Sequence, residues 1–217
     1  MFQSLDELLY EVVSWMIFYP VTLWRSLVHP FKMMNYADAE LADTPEEQYT
    51  DALSPPVFLL LSLVLSHCLE LLLVGESKLI RERAGLDGLI DSDTNLIVFR
   101  ILMFSIFPLM MAARIVRKRH KRLDREAMRR PFYSQCYVAA PFALSLGVAG
   151  TLLQCHWDWA RPVSGIMILV IFLWYGWLQT RWFSIHLGSS TAVGFGHASI
   201  AMIQALTITV TVGLLFA

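Results

Sequence analysis

The sequence predicts an all-α integral membrane protein with five transmembrane helices preceded by an interfacial amphipathic helix. Hydrophobic residues make up 56% of the 217 residues and charged residues only 16%, against roughly 25% charged in a soluble domain. Five separate apolar runs each reach the length of about 20 residues that a helix needs to cross a bilayer. One segment of dense Lys and Arg interrupts them and sets an orientation. Mean hydropathy is +0.54. The net charge of −1 gives no basic field for nucleic acid. The three scattered cysteines, Cys68, Cys136 and Cys155, do not make a disulfide scaffold.

From the N-terminus, residues 1–34 form an interfacial amphipathic region. The opening Met-Phe-Gln-Ser-Leu-Asp-Glu has no basic residue before Arg25, so a cleavable signal peptide is not expected. Residues 12–28 are apolar and aromatic, interrupted by Pro20 and ended by Pro30. They are short for a span. The expected placement is in the inner interface, with Trp15, Phe18, Trp24 and Leu27 dipping into lipid. A sixth span is the alternative, and it would move the N-terminus outside. Residues 35–54, with Asp38, Glu40, Asp43, Glu46, Glu47 and Asp51, read as an acidic cytoplasmic linker. A solvated tether is preferred there over a contact with the basic segment.

Residues 55–217 form the transmembrane domain, with spans at about 55–75, 94–116, 132–154, 162–182 and 196–216. Pro108 and Pro141 fall inside the second and third spans, where kinks are tolerated. The segment Arg114–Arg130 holds nine of the seventeen Lys and Arg residues. It is therefore expected in the cytoplasm, with the N-terminus inside and the C-terminus outside. The Glu76–Asp93 loop is expected outside. Trp157 and Trp159 would mark the outer interface, and Trp177 and Trp182 the inner one.

Polar residues inside the spans are the candidate sites. His67 and Glu70 are three apart on one helix face, with Ser66 beside them. Arg100 in the second span lies at a depth that matches Glu70 within a few Å, at about 1.5 Å per residue. An unpaired charge near mid-membrane costs roughly 2.5–3.5 kcal/mol, so a Glu70–Arg100 ion pair is expected. The His67, Glu70 and Arg100 cluster could relay a proton or solute, but a staple between two spans is preferred. Ala139, Ala143, Gly147 and Thr151 recur every four residues and predict a close-packing stripe on a central third span. Gln204, Thr207 and Thr211 share a face of the fifth span, where packing or backbone capping is preferred over a solute path.

Arg117, Lys118, Arg119, Lys121 and Arg122 are the candidate contacts for anionic lipid headgroups or a partner, each worth about 1 kcal/mol near a charged surface. Metal ligation by His67, Cys68 and Glu70 is set aside because His67 and Cys68 point to different helix faces, and Cys155, His156 and Asp158 are too short a set without a ligand from elsewhere. A dyad of Ser189 or Ser190 with His186 or His197 is set aside in favour of a Gly/Ser turn. No nucleotide, dinucleotide, serine-hydrolase or zinc-protease motif occurs, so no enzyme activity and no cofactor are expected.

Several local patterns carry a family resemblance. They are Leu23-Trp-Arg-Ser-Leu-Val-His-Pro30, Leu53-Ser-Pro-Pro56 at the opening of the first span, Cys136-Tyr-Val-Ala-Ala-Pro-Phe142 in the third, and Trp174-Tyr-Gly-Trp-Leu178 with Leu187-Gly188 in the fourth. With five spans in this layout, the chain from about Leu23 onward resembles the Yip family, and more closely its short bacterial members labelled permeases. The resemblance implies a cytosolic N-terminus and an inner-membrane location. The long N-terminal region and the Asp-Leu-Tyr-Gly-Pro type motif of the eukaryotic branch are missing. Fold and topology are therefore carried over, and no active site. The expected function is non-enzymatic: organising lipid or partner proteins at the cytoplasmic face. The alternative is a small oligomeric permease or channel using His67, Glu70 and Arg100. Expected partners are the bilayer with its anionic lipids and a membrane protein or further copies of the chain, with no nucleic acid.

Overall fold

The computed structural model describes residues 5–44, 47–75, 93–119 and 122–215. The described residues form seven helices and no strand. These are α1 (Leu5–Val28), α2 (Pro30–Glu40), α3 (Pro55–Val74), α4 (Asp93–Lys118), α5 (Arg125–Gln154), α6 (Ala160–Leu187) and α7 (Thr191–Leu215). The last five are long and apolar enough to cross a membrane. Most of the Glu76–Asp93 loop lies outside the described residues.

α5 is the centre of the bundle and packs against α1, α2, α3, α4 and α6. The most apolar stretch of α5 is 56% buried, against 17% for α7 at the periphery. The small-residue stripe explains this. Ala139, Ala143 and Thr151 are buried, and a Cβ added at Gly147 would collide with the Ser66 hydroxyl of α3. Backbones can therefore approach closely along this seam. α5 also divides two apolar cores. Val138 and Phe142 join Phe107, Met111, Tyr175 and Phe183 on one side. Tyr137, Ala140 and Ala143 join Phe58, Leu59 and Leu63 on the other.

α5 begins at Arg125, earlier than the expected Phe132, because Asp124 caps it by accepting a hydrogen bond from the Ala127 amide (2.8 Å). The basic segment is thus mostly the facing ends of α4 and α5. α6 ends at Gly188, whose positive φ of 57° turns the chain into α7. A second stripe of small residues, Ala198, Ala201 and Ala205, is buried along α7. At its head, a Cβ on Gly194 would lie 2.5 Å from the Thr180 carbonyl oxygen of α6.

The N-terminal region differs from expectation in three ways. Pro20 does not interrupt α1, which continues to Val28, and Pro30 starts α2 rather than only ending what precedes it. Trp15 and Phe18 pack against the core beside α3, while Trp24 and Leu27 stay exposed. α1 runs antiparallel along α3. Thr22 accepts the Leu53 amide (3.1 Å), Tyr19 meets Ser62 (3.0 Å) and Phe58, and Trp15 shares a groove with Leu61 and Cys68. Residues 35–40 of the expected linker are helical, and α2 buries Met33, Met34 and Ala37 against α5.

The remaining linker is folded back on itself. Asp51 accepts hydrogen bonds from Tyr36 (2.5 Å) and Arg25 (3.0 Å). The Tyr36 hydroxyl first, and the Arg25 guanidinium with it, hold the Asp51 carboxyl below its ordinary value, while burial pushes the Tyr36 phenol up. Asp38 accepts from Ser134 of α5 (2.9 Å). Neither acid bonds a Lys or Arg of the basic segment among the described residues. Trp182 is also not an interfacial residue: it is buried, with Phe183 and His186 against its ring, whereas Trp157, Trp159 and Trp177 are exposed.

The α6–α7 seam gives a direct test. Gly194→Ala drives a methyl group into backbone that cannot rotate away, so it should destabilise by about 1–3 kcal/mol. Gly196→Ala, whose Cβ meets nothing within 4 Å, should cost well under that. Thermal unfolding of both variants in detergent checks the difference.

Candidate functional site

Two polar regions lie at opposite ends of the bundle. The first is the expected intramembrane cluster. Glu70 sits one turn before the end of α3 and Arg100 two turns into α4. α3 and α4 meet there, and the Arg100 guanidinium donates to Glu70 Oε2 in an ion pair. His67 Nδ1 lies 3.9 Å from the same oxygen and 3.4 Å from Arg100 Nη1. The side chains of His67 and Glu70 are 2% and 5% exposed, and that of Arg100 20%. The pair is therefore shielded from lipid, and only the arginine reaches its edge.

Gln154 joins the cluster. Its amide donates to Glu70 Oε1 (3.1 Å), so both carboxylate oxygens are occupied and α3, α4 and α5 are tied at one level. The sequence reading did not single out Gln154. The available signal was a lone glutamine at the end of the third span, on the same side of the membrane as Glu70. His67 is buried and Cys68 exposed, as adjacent residues about 100° apart on a helix require. They do not share a site. Among the described residues no group of three or more His, Cys, Asp or Glu could hold a metal.

A further buried polar contact also went unread. Gln135 of α5 and Gln179 of α6 exchange amide hydrogen bonds of 3.0 and 2.6 Å, and both are fully buried. Each amide satisfies the other, so the pair fixes the register of α5 on α6 without leaving a polar group bare.

The second region is the basic end. Arg117, Lys118, Arg119 and Arg122 are exposed there. Lys121 lies outside the described residues. Arg119 donates to the His186 carbonyl of α6 (3.1 Å), and Arg129 lies over the Tyr133 ring. Arg125, Arg129 and Arg130 add to the exposed positive surface from the first turns of α5. Deeper in the same end, Arg114 of α4 faces His197 of α7 at 3.1 Å.

The serine and histidine residues of the α6–α7 turn do not form a dyad. Ser184 donates to the Ser189 carbonyl, Ser190 caps Val193, His186 contacts the Trp182 carbonyl and His197 faces Arg114. Gln204, Thr207 and Thr211 lie on the exposed side of α7. Compared with known proteins, the chain matches no family model, no curated protein and no solved structure.

A double-mutant cycle measures the Glu70–Arg100 pair. Removing one partner of a buried pair costs about 3–5 kcal/mol because the other charge stays buried. Glu70→Gln and Arg100→Met should therefore each destabilise strongly, and the double variant should cost less than the sum of the two. Strict additivity in unfolding measurements would mean that the two side chains do not interact.

Proposed function

We propose that this polytopic membrane protein is non-enzymatic, of the Yip type, and organises anionic lipid or a partner protein at the cytoplasmic face of a bacterial inner membrane. The observation that carries this reading is the different treatment of charge at the two ends. Glu70 and Arg100 neutralise each other inside the bundle. Arg117, Lys118, Arg122, Arg125 and Arg130 have no acidic partner among the described residues and are exposed. A ring of uncompensated cations beside the membrane attracts anionic headgroups, and the positive-inside tendency puts that ring in the cytoplasm. The exposed apolar side of α1, with Met16, Ile17, Val21 and Trp24, runs along α3 away from that end and gives lipid a further apolar face.

A permease using His67, Glu70 and Arg100 would need Glu70 to release both Arg100 and Gln154 in each cycle. The saturated carboxylate favours a staple over a carrier.

The test is reconstitution of the full chain in vesicles of phosphatidylcholine with or without phosphatidylglycerol. The charged lipid should be enriched around the protein, the enrichment should fall with salt, and it should fall again when Arg117, Lys118, Arg119 and Arg122 are changed together to Gln. Enrichment that survives this change, with solute flux that disappears in Glu70→Gln, would replace the proposal with the permease.

A further inference from the structure

Arg114 has the least ordinary surroundings of any cation in the basic end. It lies about 6 Å below the end of α4, four residues before Lys118 at 1.5 Å per residue. His197 lies about 9 Å below the start of α7, six residues after Thr191. The two side chains therefore meet beneath the exposed basic surface, at the height where the apolar layer begins. Among the described residues the guanidinium's one hydrogen-bond partner is His197 Nδ1. An imidazole that accepts a hydrogen bond is neutral, so it leaves the positive charge uncompensated. Arg114 Nε is buried and makes no hydrogen bond. Among the described residues no carboxylate lines the notch beside Arg114, of about 130 Å³: it is bordered by Met110, Ala113, Arg114, Arg117, Lys118 and Gln204.

Three basic residues thus border one small, mostly apolar notch between α4 and α7, with no acidic residue in its lining. The opposite end of the bundle shows what the chain does with an intramembrane arginine when a protein counter-charge is supplied, since Arg100 is met by Glu70. Among the described residues Arg114 has no such partner. At that depth the anion in constant supply is a lipid phosphate, and basic notches between membrane helices suit such headgroups.

We infer that the α4–α7 notch is a specific site for the phosphate of one anionic phospholipid, which is the missing counter-charge of Arg114. The guanidinium presents its fork to the phosphate, with Arg117 and Lys118 closing over it from the last turn of α4. His197 holds the guanidinium in place from α7 and is a positioning residue. Gln204, two turns deeper on the same face of α7, offers an amide on the side where the glycerol ester of that lipid follows its phosphate. This inference rests on the proposal that the basic end faces anionic lipid. It differs from it in requiring one tightly held lipid rather than a diffuse annulus.

The experiment is native mass spectrometry of the full chain, reconstituted with phosphatidylcholine and phosphatidylglycerol and then washed in detergent. The intact protein should retain one phosphatidylglycerol, and Arg114→Gln should lower its occupancy about tenfold. Arg114→Lys, which keeps the charge and loses the fork, should fall in between and guards against misfolding as the cause. His197→Gln should weaken retention while leaving the thermal midpoint of the lipid-free protein unchanged. Inorganic phosphate at high concentration should not displace the lipid; displacement would make the site one for a soluble anion and overturn the inference. Equal retention by Arg114→Gln, or no retained lipid in the intact protein, would also overturn it. A retained lipid together with an annulus insensitive to Arg117, Lys118, Arg119 and Arg122 would uphold the site and sink the broader reading.

Discussion

An ionised side chain in a hydrocarbon layer carries a desolvation cost that a counter-charge offsets. The arrangement of this chain turns on how it meets that constraint. At one end the answer is internal. Glu70 is enclosed by Arg100, His67 and Gln154 from three helices, so its desolvation cost is offset inside the protein. At the basic end Arg114 meets an imidazole that accepts its hydrogen bond, and the counter-charge we infer for it is a lipid headgroup. The first arrangement holds helices together. The second is open to a ligand.

The constraint acts through the packing of α5. Small side chains on one face let α3 lie close enough for Ser66 to fill the space at Gly147, and that closeness brings Gln154 within reach of Glu70. On the opposite side, Gln135 and Gln179 lock α6 by exchanging hydrogen bonds. α2 bridges the two cores at the basic end, with Met34 in one and Met33 in the other, and Ser134 of α5 bonds its Met34 carbonyl and Asp38. The bundle is thus tied at several heights by polar contacts between helices, which suits a fixed platform better than a carrier that must exchange partners.

Much of this was legible because lipid leaves few choices. Runs of about 20 apolar residues can only be helices there, and the five long helices fall where hydropathy puts them. Glu70 and Arg100 could be paired from depth alone, because helix rise is constant and both lie near the same end of their spans. The spacing of Ala139, Ala143, Gly147 and Thr151 could be read as packing because a four-residue step follows one helix face. What escaped depends on tertiary partners. Neutral residues such as Gln154, Gln135 and Gln179 announce no partner, since a lone amide in a span can bond its own backbone as easily as another helix. The linker looked like a free tether from its acids, but Tyr36 and Arg25 pin the exposed Asp51 to the N-terminal helices. Arg114 was counted with the basic segment, and only the approach of α7 separates it from the exposed arginines around it.

The most direct test of this division of charge is solid-state NMR of the full chain in bilayers containing phosphatidylglycerol, measuring dephasing of arginine side-chain nitrogen by lipid phosphorus. The account predicts strong dephasing at Arg114 and none at Arg100, whose guanidinium should couple instead to the Glu70 carboxyl carbon. An Arg114 signal untouched by phosphorus, or an Arg100 signal dephased by it, would contradict the account.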